Sequence, residues 1–158
     1  MGSERMRVVI EIDGGSRGNP GPAAAALVVR DGDDGRVLDE KSWYLGETTN
    51  NVAEWTALEN AVRYLAAVAA KHGPVQALIR ADSELVVRQF NGAYRIKQPH
   101  LQEIALGIRD FLQRHPEVSV RLVHVPREEN KRADAGVNRE LDRFQKNSKV
   151  KKGVRHFS

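Results

Sequence analysis

Runs and alternations of hydrophobic residues predict five β-strands in this chain. The first, a β-branched run, stops at Asp13 and a glycine pair, and the turn-forming stretch from Asp31 to Gly35 predicts a hairpin between the second and third. We therefore expect the first three strands to be antiparallel. Gly14 to Pro22 contains four glycines and two prolines, which predicts a tight turn rather than regular structure. The predicted strands are Val8–Ile12, Ala23–Val29, Val37–Leu45, Gln76–Ala81 and Val118–Leu122.

The hydrophobic spacing becomes helical at Asn51 and stays so until His72, which predicts the longest helix. Shorter helices are predicted from Ser83 to Phe90, from Pro99 to His115 and from Lys131 onward, the last one polar. This order of elements predicts an α/β fold with one mixed sheet, its last two strands parallel, and helices on both faces.

The composition describes a single domain with a near-neutral body. The 158 residues include no cysteine, so a metal ion would have to be bound by oxygen or imidazole ligands. The net charge of +4 comes from the end of the chain, because residues 145–158 hold five basic residues and no acid, and the rest has 20 basic against 21 acidic residues. This basic tail is either a solvated, disordered segment or an accessory phosphate-binding element.

Four carboxylates stand at the ends of predicted elements, each within a distinctive local sequence. Asp13 leads into Gly-Gly-Ser-Arg-Gly-Asn-Pro-Gly, Glu54 follows Thr-Thr-Asn-Asn-Val-Ala, Asp82 opens Asp-Ser-Glu, and Asp134 closes Asn-Lys-Arg-Ala-Asp. Any one of these acids alone would more often be a helix cap or a surface charge. Converging acids would repel one another, by about 4 kcal/mol per pair at 4 Å and an effective dielectric near 20, unless divalent cations bind between them.

These four motifs, in this order and spacing, resemble the ribonuclease H type 1 family over roughly residues 7–143. The resemblance implies a strand order of 3-2-1-4-5 and an endonuclease that hydrolyses the RNA strand of RNA–DNA hybrids, leaving 5′-phosphate and 3′-hydroxyl ends. It also implies two Mg²⁺ ions, with Mn²⁺ as a possible substitute, bound by oxygen ligands. Asp13 would bridge both ions, Glu54 and Asp82 would complete one on the leaving-group side, and Asp134 would hold the ion that activates water.

The resemblance also assigns substrate contacts. Backbone groups of Gly14, Gly15 and Ser16 and the side chains of Asn50 and Glu84 match positions that touch the RNA strand, although a negative Glu84 stands where relatives often have Gln or Lys. Asn19 and Thr49 match positions that hold a phosphate of the DNA strand. Turn and cap chemistry is the alternative interpretation of Asn19 and Thr49.

The chain departs from the family pattern in three places. The Lys-rich handle that some relatives insert after the second helix is reduced to Tyr94, Arg95 and Lys97. Relatives often carry a mobile His before the last Asp, and here Arg127 in a shortened loop is favoured for that auxiliary role over His124, which the strand pattern places at a strand end. Gly136 costs about 1 kcal/mol of helix stability relative to Ala, which predicts a loose last helix.

Two alternatives remain open at this stage. One is a nuclease of the same fold that acts on double-stranded RNA or on DNA, and the other is a hybrid-binding module without catalysis. We expect residues 1–6 to be an extension or tag scar, residues 7–144 a catalytic domain and residues 145–158 the basic tail. No hydrophobic segment approaches the roughly 20 residues of a membrane span, so we expect a cytoplasmic protein. We also expect a monomer without an obligate protein partner.

Overall fold

The computed structural model describes residues 5–156 of the chain, with side-chain surroundings for residues 5–148. Residues 1–4 of the predicted extension and residues 157–158 of the predicted tail lie outside this range. The strands are β1 (Met6–Ser16), β2 (Gly21–Asp31), β3 (Val37–Thr48), β4 (Val75–Ala81) and β5 (Val118–His124). The helices are α1 (Asn50–His72), α2 (Glu84–Phe90), α3 (Pro99–Arg114) and α4 (Lys131–His156), and Arg127–Glu129 forms a 3₁₀ turn before α4.

The five strands form one sheet in the order β3-β2-β1-β4-β5, as expected. β1 pairs antiparallel with β2, and β2 pairs antiparallel with β3. β4 pairs parallel with β1, and β5 parallel with β4. The α/β class, the strand order and the antiparallel-then-parallel pattern predicted for the sheet are confirmed.

The glycine-rich segment after β1 is more regular than predicted. Gly14, Gly15 and Ser16 pair with Ala25, Ala24 and Ala23 in the antiparallel ladder, so the tight turn between β1 and β2 is confined to residues 17–20. The prediction that residues 14–22 form a turn throughout was wrong, because cross-strand pairing with the alanine-rich β2 outweighs the weak strand propensity of glycine.

Alternate residues of β2 face two different layers of the core. Ala25, Leu27 and Val29 pack with Trp55, Leu58 and Leu65 of α1 in the larger hydrophobic cluster. Ala24 and Ala26 face the opposite side and pack against Val137 and Leu141 of α4. Helices therefore cover both faces of the sheet, as predicted from the order of the elements.

Helix α4 is packed tightly, which corrects the prediction of a loose last helix. Gly136 is buried, and a Cβ atom at this position would lie 2.9 Å from the Ala26 Cβ on β2. The glycine thus permits a close approach of helix and sheet. The stacked rings of Tyr44 and Phe144, 4.1 Å apart, hold the helix further along.

The boundaries at both ends differ from the predicted ones. β1 begins at Met6, so the predicted extension is shorter by one residue at its inner end. The backbone of α4 remains helical through His156, so residues 145–156 continue the helix rather than form a disordered segment. Among the residues that the structure describes, no helix combines the length and the apolar character needed to cross a membrane.

Glycine-to-alanine substitutions at two helical positions should act in opposite directions. Gly107 in α3 has open space around it, so Gly107→Ala should gain about 1 kcal/mol of helix stability, equivalent to a rise in Tm of about 2–4 °C. Gly136→Ala should lower the Tm, because the clash with Ala26, which costs up to about 3 kcal/mol, outweighs the gain of about 1 kcal/mol in helix propensity. Thermal unfolding of both variants checks this, and a rise in Tm for Gly136→Ala would contradict the close packing.

Candidate active site

Two neighbouring parallel strands bring two of the predicted acids to the same edge of the sheet. Ile12 of β1 and Ala81 of β4 are the last pair of the β1–β4 ladder, so the next residues, Asp13 and Asp82, lie side by side. Glu54 lies one turn into α1, and Asp134 lies in the first turn of α4.

The close approach of α1 to β1 depends on Gly14. A Cβ atom there would lie 2.3 Å from the Ala53 carbonyl carbon, so only glycine lets the first turn of the helix reach the strand. Glu54 follows Ala53 directly, and the contact therefore sets how near its carboxylate comes to Asp13.

The four carboxylates line one cleft of about 410 Å³. Oxygen atoms of Asp13, Glu54 and Asp82 lie within 4.8 Å of one another. Asp134 falls outside this group of three, but its carboxyl group lies within hydrogen-bonding reach of that of Asp13. The structure thus brings together all four acids singled out in the sequence, with Asp13 at the centre.

Burial and mutual repulsion perturb the central acids. Burial, followed by the negative charges of Asp82 and Asp134, raises the pKa of Asp13 from 3.8 to about 8. Burial also raises the pKa of Glu54 well above its usual value, with further contributions from Asp13 and Asp82, while the positive charge of Arg127 opposes the shift. The site therefore lacks enough positive charge of its own to keep these carboxylates ionised.

The substrate-contact residues predicted near the cleft form one hydrogen-bonded unit. The Asn50 Oδ1 accepts hydrogen bonds from the Ser16 backbone N–H (2.8 Å) and hydroxyl (3.2 Å). The Asn50 backbone N–H donates to the Asn19 Oδ1 at 3.1 Å, and the Thr49 hydroxyl caps α1 by accepting from the Val52 N–H at 3.2 Å. The turn and cap chemistry considered for Asn19 and Thr49 is therefore present, and it joins the β1–β2 turn to the start of α1.

The auxiliary residue favoured from the sequence lies in the cleft. Arg127, in the 3₁₀ turn, is one of the lining residues, along with Gly14, Gly15 and Ser16. His124 is exposed at the end of β5 and does not line the cleft, which confirms its predicted place in the strand. The predicted residue Glu84 is also outside the lining, and its carboxylate pairs with Arg88 at 2.8 Å.

Two residues at the site were not singled out from the sequence. Arg17 joins the β1–β2 turn to α4 by pairing with Asp142 at 2.7 Å and with Gln145 at 2.8 Å. Asn130 is fully buried and donates to Asp82. Both stand inside the motifs around Asp13 and Asp134, but their contacts cross more than forty residues of sequence and carry no local signal.

Comparison with known proteins agrees with this geometry. The family model described as "Reverse transcriptase-like" matches residues 11–140. The crystal structure of LC11-RNase H1 in complex with an RNA/DNA hybrid superposes with a TM-score of 0.81 at 42% identity, covering 87% of this chain and 99% of that one. The chain belongs to the ribonuclease H type 1 family.

Two further relatives are longer than the region that this chain matches. Ribonuclease HI of Halobacterium salinarum is 40% identical over 136 residues, covering 86% of this chain and 65% of that protein. A bifunctional protein of Mycobacterium tuberculosis is 38% identical over 141 residues, covering 87% of this chain. The chain spans only 36% of the length of this mycobacterial relative.

The raised pKa of Asp13 predicts that the metal-free protein loses stability as the pH rises. Because the folded-state pKa of about 8 exceeds the unfolded value of 3.8, the protonated carboxyl stabilises the fold at low pH, and this contribution is lost as the pH rises towards 8. Between pH 5 and pH 8.5 in EDTA, the Tm of the wild type should therefore fall more than that of Asp13→Asn.

Differential scanning calorimetry at several pH values measures this difference. Asp110→Asn is the matched control, since Asp110 is an exposed residue of α3 paired with Arg114. The control should follow the wild type. Parallel Tm profiles for the wild type and Asp13→Asn would contradict the placement of Asp13 among buried acids.

Proposed function

We propose that this chain is a metal-dependent endonuclease that hydrolyses the RNA strand of RNA–DNA hybrids, leaving 5′-phosphate and 3′-hydroxyl ends. The observation that carries the proposal is the convergence of Asp13, Glu54 and Asp82 within 4.8 Å, with Asp134 beside Asp13. β1, α1, α4 and the residue after β4 each supply one of these acids. The fold as a whole therefore brings them together, and no single local sequence does.

The residues present fit a pair of divalent cations. All four side chains offer oxygen atoms, which favour Mg²⁺ or Mn²⁺ over softer metals. The Glu54 Oε2 atom is buried and has no hydrogen-bond partner, which is costly for a carboxylate oxygen unless a cation binds it. Asp13, Glu54 and Asp82 would hold one ion, and Asp13 and Asp134 the other.

Bound ions of this kind supply charge stabilisation for an in-line phosphoryl displacement and lower the pKa of a water molecule. The chain's own residues position the reacting strand. Pairing of β1 with β4 fixes Asp13 and the neighbouring Asp82. The Arg127 guanidinium, whose positive charge acts on Glu54, lines the cleft and would be available to a phosphate oxygen there.

Strand choice is proposed to come from the hydrogen-bonded unit beside the acids. The RNA strand would pass over the backbone of Gly14, Gly15 and Ser16 and the side chain of Asn50, with Glu84 at its margin. Asn19 and Thr49 would bind a phosphate of the DNA strand. The hybrid bound by LC11-RNase H1, which is 42% identical to this chain, supports this substrate class. Recognition of 2′-hydroxyl groups distinguishes the two strands.

The two alternatives make different demands on the site. A hybrid-binding module without catalysis does not need the full set of acids, yet all four line the cleft. A nuclease with the same fold that prefers double-stranded RNA would share the acids, because both duplexes have similar minor grooves. Only substrate comparison separates this second alternative from the proposal.

Cleavage of labelled RNA–DNA hybrid, double-stranded RNA and double-stranded DNA in Mg²⁺ tests the proposal. We expect cutting of the RNA strand of the hybrid alone, and loss of at least about 10³-fold in rate for Asp13→Asn, since catalysis of phosphoryl transfer rests on positioned charge. Asp110→Asn, away from the cleft, should keep full activity. An intact hybrid with the wild type in ample Mg²⁺ would refute the proposal.

The proposed auxiliary role of Arg127 predicts unequal effects of two substitutions. Arg127→Ala should lower kcat about 10–100-fold, corresponding to the 1.5–3 kcal/mol of a hydrogen bond to a charged group. His124→Ala should leave kcat within about twofold of the wild type, because His124 does not line the cleft. Steady-state kinetics on the hybrid measures both, and the reverse order of effects would reassign the role to His124.

A further inference from the structure

One buried amide side chain is hydrogen-bonded to two of the segments that position the acids. Asn130 is 0% exposed and lies between the 3₁₀ turn and α4. Its Nδ2 group donates to the main-chain carbonyl of Ile12 at 2.7 Å and to the Asp82 Oδ2 at 3.2 Å. Ile12 directly precedes Asp13 in β1, so this single amide links β1 beside Asp13 to the carboxylate that follows β4.

The backbone of the same residue fixes two more parts of the cleft. The Asn130 N–H donates to the Arg127 carbonyl at 3.0 Å, which closes the 3₁₀ turn. The Asn130 carbonyl accepts from the Asp134 N–H at 3.1 Å, which begins the hydrogen bonding of α4. Strand β1, Asp82, Arg127 and Asp134 are thus all connected through one buried residue.

The contacts of the side chain explain why an amide is needed here. Both acceptors of its Nδ2 group are oxygen atoms, so the position requires two hydrogen-bond donors and tolerates no negative charge. The Asn130 Oδ1 is buried without a partner, so the side chain forms hydrogen bonds only through its two N–H donors. Aspartate has the same shape but lacks both donors and would face Asp82 with a second carboxylate.

We propose that Asn130 is a positioning residue of the metal site, holding the Asp82 carboxylate and the part of β1 next to Asp13 in the arrangement that binds divalent cations. This inference rests on the proposed function and deepens it. The hydrogen bond to Oδ2 restricts rotation of the Asp82 carboxylate, and the bond to the Ile12 carbonyl sets its distance from Asp13. Hydrogen bonds to ligating carboxylates generally fix their orientation and tune metal affinity.

The test compares Asn130→Asp with a matched control, Asn91→Asp. The Asn91 Nδ2 donates to the Leu122 carbonyl at 3.1 Å, so the control loses a similar side-chain bond to a β-strand but has no contact with the acids. Isothermal titration calorimetry with Mn²⁺ alone, without nucleic acid, measures metal affinity. We expect Asn130→Asp to bind Mn²⁺ about 10–100-fold more weakly and Asn91→Asp to match the wild type.

Kinetics on the RNA–DNA hybrid provides a second measurement. The Mg²⁺ concentration for half-maximal activity should rise for Asn130→Asp, while the KM for the hybrid at saturating Mg²⁺ stays near the wild-type value. A purely structural defect would instead lower the Tm without changing the Mn²⁺ affinity of the folded protein. If Asn130→Asp does not fold, Asn130→Ser, which is neutral and keeps one donor, is titrated in its place.

Wild-type Mn²⁺ affinity in the folded Asn130 variant would overturn the inference. This outcome leaves the proposed function intact, provided that the wild type cleaves the hybrid. A wild type that neither binds Mn²⁺ nor cleaves the hybrid would overturn the proposed function itself, and that result is obtained before any variant is made. The two failures are therefore distinguishable.

Discussion

The fold holds the carboxylates of the site close together against their mutual electrostatic repulsion. Three carboxylates from β1, α1 and β4 lie within 4.8 Å of one another, and a fourth from α4 reaches the central one. At such distances like charges destabilise the folded state, and without cations the protein relieves this by raising the pKa values of Asp13 and Glu54. The two apolar layers on either side of the sheet supply the stability that offsets this repulsion.

Two glycines decide how closely the helices approach the sheet at this point. Gly14 admits the first turn of α1 to β1, and Gly136 admits α4 to β2. Each helix carries one of the acids close to the contact, Glu54 in α1 and Asp134 in α4. Glycine at these positions is thus a requirement of the site, although Gly136 by itself lowers helix propensity.

The sequence predicted most of the sheet and the acids, because both leave local signals. Runs and alternations of hydrophobic residues predicted the strands, and the motifs around the four acids carried the resemblance to the family. Tertiary contacts decided the rest. The extension of β1 through Ser16 depends on pairing with β2, and the need for glycine at position 136 depends on the nearby Ala26 methyl group. The role of Asn130 appears only when Ile12 and Asp82 lie beside it in space.

The charge balance of the cleft connects metal binding with substrate binding. Its lining contains four acids and two arginines, and the charge of Arg17 is already paired with Asp142 at 2.7 Å. A nucleic acid, which carries one negative charge per phosphate, would meet net repulsion in such a cleft. Under the proposed function, divalent cations therefore do more than assist hydrolysis. They change the net charge of the cleft from negative to positive, so that the ions and the scissile phosphate each favour the binding of the other.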